Sequence, residues 1–389
     1  MSDIGKLSII GMGPGDEAMI TEVAKSTLAT AHRILHTREM PLSSLVAMLK
    51  KTEGGSTAVL VSGDSGFFSV AATIVRDFDG LYEIEIIPGI SSIQYFSAKI
   101  KIPYEDAALV SLHGRNGNIV AKASYNKKIF ALTGGANGIR DICRSLCRCG
   151  LGNVSVSVGE RLSYPNERII HGNAENLKDM DFDGLSVMYI ENLMAINPHM
   201  PLCDSDFIRG DTPMTKEEVR WLSIQKLGVS SSDIVFDIGA GTGSVSVELA
   251  RKAFDGFVYA IEAKEGACAL VQANATKHGA FNIQIVRGEA PWALAGLPIP
   301  DKAFIGGSSG NMGSILEKLI VLNPMLKVTA TAITLQTLHQ ITESFKKYGI
   351  GGTDIVCVNI AKARKAGGCD IMMAQNPVYI ITGVGGGHV

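Results

Sequence analysis

Three glycines at alternating positions, Gly239, Gly241 and Gly243, form the sequence pattern most suggestive of chemistry. They follow a short apolar run, residues 234–236, and precede a run with helical periodicity, which predicts a loop between a strand and a helix. Glycines in such a loop let the backbone approach a ligand closely. A dinucleotide site would need Gly or Ala at the next position, where this chain has Ser244. The spacing therefore favours a nucleotide-type ligand other than a dinucleotide.

Carboxylates flank this loop at positions that suit S-adenosylmethionine (SAM). Asp237 opens the loop, and Glu262 follows the next predicted strand, where its carboxylate can accept hydrogen bonds from both ribose hydroxyls. Glu289 is expected beside the adenine. Together the glycines and carboxylates predict a SAM site, and the alternative left open is a turn of a Rossmann-like sheet that binds no ligand.

Further glycine-rich strand ends lie in the first quarter of the chain. Residues 7–10, 59–62 and 84–87 are typical of short buried strands. The loops that follow them are residues 11–16, 63–66 and 88–92. Because the carboxyl ends of parallel strands meet at one edge of a sheet, these loops predict one shared ligand crevice. The glycine spacing of the first loop, taken alone, also occurs in many unrelated turns.

The elements that must position these loops alternate between strands and helices, which indicates the α/β class. A chain of 389 residues with 43 glycines and 6% aromatic residues fits several glycine-punctuated α/β modules. We predict a two-lobed module, with lobes at residues 1–111 and 112–198, followed by a Rossmann-like module at residues 203–389. Residues 197–206 are predicted to be a dispensable linker. Thr215 and Glu218 match a capping box that would begin a helix at about Lys216.

Composition excludes some partners and compartments. The chain has 36 basic and 38 acidic residues, so no overall field draws it to nucleic acid or to an anionic membrane. No apolar run reaches the roughly 18 residues of a membrane span, and no signal-peptide pattern is recognised, so we expect a cytoplasmic protein.

Seven cysteines argue against a complete disulfide framework. Cys143, Cys147 and Cys149 are expected to pack on an amphipathic helix, and no metal site is predicted.

The N-terminal half resembles the tetrapyrrole methylases, in which SAM lies in a cleft between two α/β lobes. The resemblance is carried by Gly11-Met-Gly-Pro-Gly-Asp16, Val61-Ser-Gly-Asp64, Pro88-Gly-Ile-Ser-Ser92 and Leu132-Thr133. Ser111-Leu-His-Gly-Arg115 is similar to the subfamily that methylates carbon 5 of a corrin precursor. Where the family usually has proline, this chain has Ser65. The resemblance implies a first SAM site lined by Pro14, Ser62, Gly63, Asp64, Phe67, Ser91, Ser92 and Thr133.

The C-terminal half resembles class I SAM-dependent methyltransferases that methylate carbon 15 of the corrin precursor and decarboxylate its ring-C acetate. The carrying motifs are Asp206-Phe-Ile-Arg209, Pro213-Met-Thr215, residues 237–243, Gly288-Glu-Ala-Pro291, Gly306-Gly-Ser308 and Asn376-Pro377. Departures are Glu289 in place of the usual Asp, and Ser309 in place of a glycine. The implied second SAM site contains Thr215, Gly239, Ala240, Gly241, Thr242, Gly243, Glu262, Glu289 and Ala290.

The two resemblances occur in the order found in fused, bifunctional methyltransferases of vitamin B12 synthesis. They imply a tetrapyrrole substrate, precorrin-6B or its cobalt form, whose many carboxylates need local cations. The candidates are His113 and Arg115 in one module, and Arg209, Lys362, Arg364 and Lys365 in the other. The alternative for residues 362–365 is a solvated charged turn. No catalytic base is predicted, because orientation and exclusion of water suffice for much of the acceleration.

Other functions remain to be weighed against this one. The failed dinucleotide spacing disfavours a dehydrogenase, and the balanced charge disfavours a nucleic-acid methyltransferase. A non-catalytic SAM-binding protein, or one with another substrate, stays open, because catalysis of this kind depends on shape. A homo-oligomer of undefined size is expected.

Overall fold

The computed structural model describes residues 5–51, 55–112, 118–134 and 138–386. The chain forms two compact units, one of residues 1–117 and 126–193 and the other of residues 118–125 and 194–389. The short segment 118–125 thus groups with the second unit, although the sequence suggested that it belongs to the lobe 112–198. An ion pair between Lys122 and Asp255 helps to hold it there.

The first sheet of the first unit is entirely parallel, with the order β2-β3-β1-β4. Its strands are β1 (Lys6–Gly11), β2 (Arg33–His36), β3 (Ser56–Val61) and β4 (Glu83–Ile87), and its helices are α1 (Glu22–Thr30), α2 (Leu42–Leu49), α3 (Ala71–Phe78) and α4 (Ser92–Ile100). Leu7, Val59 and Phe78 are fully buried in its core. The three strands predicted from the sequence are confirmed, and each is followed by its glycine loop.

The second sheet of the first unit is mixed, with the order β5-β6-β9-β7-β8. Its strands are β5 (Ala108–Ser111), β6 (Lys128–Thr133), β7 (Ser155–Glu160), β8 (Arg168–Asn173) and β9 (Ser186–Glu191), and helices α5 (Ile119–Tyr125), α6 (Ile139–Arg148) and α7 (Ala174–Leu177) lie along this stretch of the chain. Only β5 and β6 pair in parallel among these strands. Cys143 is buried on α6, as expected for a packing residue.

The second unit contains a sheet with the order β12-β11-β10-β13-β14-β18-β15 and a separate hairpin of β16 and β17. The strands are β10 (Ile234–Ile238), β11 (Phe257–Glu262), β12 (Ile283–Arg287), β13 (Lys302–Ile305), β14 (Lys327–Ala332), β15 (Ile350–Val358), β16 (Ala361–Ala366), β17 (Cys369–Ala374) and β18 (Val378–Gly385). The helices are α8 (Glu217–Leu227), α9 (Ser244–Lys252), α10 (Glu265–Lys277), α11 (Met312–Leu322) and α12 (Leu335–Lys347). Strand order reverses between β10 and β13, and such a switch point is where open α/β sheets bind ligands.

The start of α8 differs from the sequence prediction. The residue at the N-cap is Lys216, and it makes no capping hydrogen bond through its side chain. The capping box predicted for Thr215 and Glu218 is therefore wrong. Glu217 instead accepts a hydrogen bond from the backbone N–H of Asp204, at 2.7 Å, so its carboxylate ties the helix start to the preceding segment.

Residues 197–206 are not the free linker that their prolines suggested. The buried guanidinium of Arg251 donates to the carbonyls of Asn197 and Met200, at 2.8 and 2.6 Å. Arg220, which is fully buried, donates to the carbonyl of Leu202 at 2.6 Å. Removing acceptors from a buried charge is strongly destabilising, so this segment is an integral part of the second unit. Among the described residues, no helix is long and apolar enough to cross a membrane.

Candidate functional site

A cavity of about 790 Å³ opens at the carboxyl ends of β10, β11, β13 and β14 in the second unit. Its wall contains Thr215, Gly239, Ala240, Gly241, Thr242, Glu262, Glu289 and Ala290, all of which were singled out from the sequence. Gly243 lies behind the wall at the start of α9, where an added Cβ would come 2.9 Å from the Cα of Val271. The structure therefore brings the predicted second-site residues together around one cavity, with Gly243 supporting them.

The glycines of the loop that follows β10 leave little room for a side chain. Gly239 has a φ of 74°, and a Cβ added there would come 2.7 Å from the backbone nitrogen of Gly307. Gly241 has a φ of 58°, and its added Cβ would come 3.2 Å from the carbonyl oxygen of Pro213. The loops after β10 and β13 thus meet backbone to backbone, with the segment 212–216 close by. This arrangement is a cradle that a ligand can approach through main-chain groups.

Glu262 is oriented by the backbone around it. Its Oε2 accepts a hydrogen bond from the N–H of Gly241, and its Oε1 accepts one from the N–H of Lys264, both at 2.9 Å. A carboxylate has about four acceptor positions, so each oxygen keeps capacity for a further donor. The carboxylate is therefore fixed at the edge of the glycine loop and still able to accept ribose hydroxyls.

Asp237 is the most deeply buried acid of the cavity wall. Its Oδ2 accepts a hydrogen bond from the hydroxyl of Ser246, whereas its Oδ1 has no partner among the described residues. Burial raises the pKa of Asp237 to about 7, and the nearby charge of Glu262 also raises it, although the Ser246 hydroxyl acts in the opposite direction. A buried acceptor without a partner is rare, and a positive charge in the adjacent cavity would stabilise the anionic form of this acid. These features of the glycine loop and its acids fit SAM.

The sequence analysis missed one residue behind the cavity wall and one part of the wall itself. Asn311 donates through its Nδ2 to the Oε1 of Glu289 at 3.0 Å and so orients that carboxylate. The end of the cavity away from β11 presents hydroxyls and amides from Thr331, Thr334, Thr337, Gln375 and Asn376. The only signal in the sequence was the Asn376-Pro377 motif, because the other residues have no distinctive spacing.

The cations predicted for substrate binding do not line this cavity. Lys362, on β16, contacts Glu217 and Glu218 at 2.8 Å each. These two acids raise the pKa of Lys362 well above its usual range. Arg209 lies 3.7 Å from Asp204. Arg364 and Lys365 are exposed on the same hairpin as Lys362. Within the described ranges, the basic residues of the cavity wall are Lys216 and Lys264.

In the first unit, the three predicted glycine loops meet at the carboxyl end of the parallel sheet. Gly13 and Gly63 exchange backbone hydrogen bonds, each at 3.0 Å. A Cβ added to Gly89 would come 2.5 Å from the carbonyl oxygen of Gly11 and 2.6 Å from that of Gly63. These three loops are thus in direct backbone contact, which agrees with the prediction that they share one crevice.

Most polar side chains predicted for the first site are held by the protein itself. Asp64 accepts from the N–H groups of Gly66 and Gly89, at 2.9 and 3.1 Å. Ser91 caps α4 and forms a capping box with Gln94, and Ser92 is the first residue of that helix. The hydroxyl of Ser62 accepts a hydrogen bond from Arg38 at 2.7 Å, and the hydroxyl of Thr133 donates one to the carbonyl of Ser186 at 3.0 Å. Of the two apolar residues predicted for this site, Pro14 is buried, and the ring of Phe67 lies edge-on to that of Phe68. The unit therefore offers a ligand mainly backbone groups.

His113 and Arg115, the cations predicted for the first module, lie outside the described residues. Arg38 and Tyr164 were not identified from the sequence. The guanidinium of Arg38 contacts both Ser62 and the hydroxyl of Tyr164, the latter at 2.9 Å. Because residues 38 and 164 are 126 positions apart, no local pattern connects them.

Comparison with known proteins agrees with this division of the chain. Residues 43–178 match the family model of the tetrapyrrole (corrin/porphyrin) methylases, and residues 206–384 match that of the precorrin methyltransferase domain. Together with the two glycine-loop sites, these matches define a methyltransferase of tetrapyrrole synthesis.

The relatives extend this class over nearly the whole chain. A precorrin-6Y C(5,15)-methyltransferase [decarboxylating] of a Sinorhizobium species is 30% identical over 97% of this chain and 95% of its own. A probable cobalt-precorrin-6B C(15)-methyltransferase (decarboxylating) of Saccharolobus solfataricus is 38% identical over 44% of this chain and 89% of its own. A solved structure of precorrin-6Y C5,15-methyltransferase from Geobacter metallireducens is 32% identical, covers 47% of this chain and 95% of its own, and has a TM-score of 0.44.

The chain belongs to the precorrin-6Y C5,15-methyltransferase (decarboxylating) family of cobalamin biosynthesis. Members of this family are methyltransferases of the tetrapyrrole type, and SAM is therefore the cofactor.

Proposed function

We propose that this chain transfers methyl groups to carbons 5 and 15 of precorrin-6B, or of its cobalt form, and removes the ring-C acetate carboxyl as CO2. In this proposal the first unit acts at carbon 5, and the second unit acts at carbon 15 and carries out the decarboxylation. The division is supported by the two family models, which match different halves of the chain. It is also supported by the relative of the second half, whose name includes the C(15) methylation and the decarboxylation but no C(5) activity.

The second unit would hold SAM by carboxylates and a backbone cradle. Glu262 would accept the ribose hydroxyls, Glu289 would lie beside the adenine, and Asp237 would face the cationic part of the cofactor. When bound, SAM supplies an electrophilic methyl group whose departure leaves a neutral thioether. The residues at 239–243, with Thr215 and Ala290, would then orient the reactants and exclude water, which can account for several kcal/mol of the barrier.

Decarboxylation requires a place for the electron pair that the departing CO2 leaves behind. The conjugated ring of the substrate can accept that pair, and solvent can then supply the proton that turns the remaining methylene into a methyl group. The protein must keep the acetate poorly solvated. The hydroxyl and amide wall of Thr331, Thr334, Gln375 and Asn376 suits this role, because a neutral wall stabilises the carboxylate less than a cation would.

The first unit would hold SAM mainly through the backbone of its three glycine loops. We propose that Pro14, Ser62, Gly63, Asp64, Phe67, Ser91, Ser92 and Thr133 line this site. The N–H groups of Gly66 and Gly89 would orient the carboxylate of Asp64, and each of its oxygens keeps capacity for a further donor. The cytoplasmic location, the homo-oligomeric state and the substrate cations Arg209, Lys362, Arg364 and Lys365 remain predictions from the sequence.

The observation that carries the proposal is the second-unit cavity, where a fixed carboxylate, a glycine cradle and an unpartnered buried acid converge. The decisive experiment incubates the full chain with SAM and the reduced tetrapyrrole, with and without cobalt, and analyses the products by mass spectrometry. We expect a gain of two methyl groups and the loss of one carboxyl. Calorimetry should find two SAM sites per chain, and a product lacking any new methyl group would contradict the proposal.

A further inference from the structure

The connection between β7 and β8, residues 161–167, reaches from the mixed sheet of the first unit to the glycine loops of its parallel sheet. The Ser163 hydroxyl accepts a hydrogen bond from the N–H of Asp16 at 2.9 Å. The ring of Tyr164 lies so close to Gly15 that a Cβ added to that glycine would overlap it. The 161–167 loop therefore covers the glycine loop that follows β1.

A second contact joins the same loop to the end of β3. The hydroxyl of Tyr164 accepts a hydrogen bond from the Nη1 of Arg38 at 2.9 Å, and the Nε of Arg38 donates to Ser62 at 2.7 Å. The bonds from Tyr164 through Arg38 to Ser62 form one chain. Tyr164 thus contacts the loop after β1 with its ring and is linked to the loop after β3 through its hydroxyl.

The backbone of the 161–167 loop is strained, and the surrounding residues hold it in place. Arg161 and Ser163 have φ values of 45° and 68°, which non-glycine residues rarely adopt. Arg161 is paired with Asp183 at 2.6 Å. The N–H of Ser163 donates to Glu167 at 2.7 Å, and Glu167 is itself paired with Lys99 at 2.8 Å. Strain of this kind concentrates at functional sites and persists only where neighbouring contacts enforce it.

From these contacts we propose that Tyr164 is a positioning residue for the methyl donor in the first unit. Its ring fixes the loop at Gly15 and its hydroxyl, through Arg38, fixes the loop at Ser62, so that both loops keep the shape that receives SAM. The inference rests on the proposed function, in which these glycine loops bind SAM. Hairpin loops commonly contain residues with positive φ, but a turn that served only to join β7 and β8 would not need contacts with two loops of another sheet.

The test compares Tyr164→Ala, Tyr164→Phe and Arg38→Gln in the full chain, titrated with SAM by calorimetry. Tyr164→Ala removes both the ring and the hydroxyl, and we expect it to weaken one of the two SAM sites at least about tenfold while the other keeps its affinity. Tyr164→Phe and Arg38→Gln each break the link to Ser62 but leave the ring on Gly15, so a loss of about two- to tenfold is expected. Tyr348→Phe, which removes a hydroxyl bound to Glu317 in the second unit, is the matched control and should change neither site.

Hydrogen–deuterium exchange without SAM gives a readout that is independent of activity. In Tyr164→Ala, exchange should accelerate in residues 12–16, which lose their cover, and in residues 62–66, which lose their link through Arg38, but not in residues 239–243. Unchanged SAM affinities and unchanged exchange in a folded Tyr164→Ala would overturn the inference. If that variant does not fold, wild-type affinity in both Tyr164→Phe and Arg38→Gln overturns it instead. The proposed function of the first unit is tested separately, by counting the SAM sites of the wild-type chain. If calorimetry finds a single site, and Glu262→Ala abolishes it, the first unit does not bind SAM and its proposed function is refuted.

Discussion

The two proposed SAM sites of this chain are built from different chemical groups. In the first unit, three glycine loops touch backbone to backbone, and the carboxylate of Asp64 accepts hydrogen bonds from two of their N–H groups. In the second unit, a cavity of about 790 Å³ is lined by the acids Asp237, Glu262 and Glu289. The first proposed site is therefore dominated by close backbone contacts, whereas the second adds three carboxylates that we propose as direct partners of the cofactor.

This difference indicates which substitutions should damage which site. A site made of close backbone contacts cannot accept a Cβ, but it has few side chains whose loss would matter. A site made of oriented carboxylates loses specific hydrogen bonds when one is removed, while its fold persists. Because the two sites share one chain, each serves as the internal control of the other.

The largest effect is expected from Gly89→Ala in the first unit. The added Cβ would come within 2.6 Å of the carbonyl oxygens of both Gly11 and Gly63, and backbone atoms cannot move aside as a flexible side chain can. Such overpacking costs about 1 to 3 kcal/mol of folding free energy. If the loops relieve the strain by leaving the shape that receives SAM, the upper end corresponds to about a hundredfold loss of SAM affinity. Product analysis should then show methylation at carbon 15 only.

Gly184→Ala is the matched control for this substitution, because an added Cβ there meets no atom within 4 Å. It should leave both methylations unchanged. If Gly89→Ala kept wild-type methylation at carbon 5, the glycine loops of the first unit would not form the methyl-donor site.

The next largest effect concerns Glu262→Ala in the second unit. The substitution removes the carboxylate that is proposed to accept the ribose hydroxyls, and a hydrogen bond to a charged group contributes about 1.5 to 3 kcal/mol. It also releases the N–H groups of Gly241 and Lys264, which loosens the glycine loop. SAM affinity at this site should fall at least about tenfold, and the product should be a ring methylated at carbon 5 alone.

Glu265→Ala is the control, because its exposed carboxylate is paired with Arg287 at 3.0 Å. Circular dichroism should show that both variants are folded. Loss of both methylations in folded Glu262→Ala at saturating SAM would show that the two sites do not work separately.

A smaller difference between the sites should appear as a pH dependence. Because the pKa of Asp237 is raised to about 7, its carboxyl holds a proton increasingly as the pH falls below that value. A cationic ligand favours the anionic form of Asp237, so SAM affinity at the second site should be highest above pH 7. As the pH falls through 7, the affinity should decrease by up to about tenfold per pH unit. Calorimetry between pH 6 and 8 should show this slope at one site only, and Asp237→Asn should abolish it.

The same raised pKa affects the stability of the second unit without ligand. Between about pH 4 and pH 7 the folded state retains a proton that the unfolded state has lost. The contribution of Asp237 to the free energy of unfolding therefore decreases as the pH rises through this range. In thermal denaturation, the stability of Asp237→Asn should decrease less between pH 4 and pH 7 than that of the wild type. Identical pH profiles would contradict the conclusion that burial raises the pKa of Asp237.

The sequence was sufficient for features that depend on neighbouring residues. The glycine loops, the strands before them and the position of Glu262 all follow from local patterns, and the structure has them where expected. Features that depend on distant residues could not be predicted. Lys362 and Glu217 are 145 positions apart, and Arg251 binds a carbonyl 54 positions away at Asn197. No spacing rule connects such pairs, so Lys362 was interpreted as a substrate cation and residues 197–206 as a linker.

The smallest effect is expected from Lys362→Met, which tests whether the hairpin of β16 and β17 takes part in the second site. Its ammonium group contacts Glu217 and Glu218, and its side chain is 42% exposed, so the pair is screened by solvent and contributes about 0.2 to 1 kcal/mol. The base of the hairpin, at Gln375, lines the cavity, so loosening it should raise the KM for the tetrapyrrole less than about fivefold, without changing SAM affinity. Lys365→Met, on the same exposed hairpin, should have no effect. A much larger rise in KM for folded Lys362→Met, one that Lys362→Arg restores, would mean that this cation binds a substrate carboxylate directly, as the sequence alone suggested.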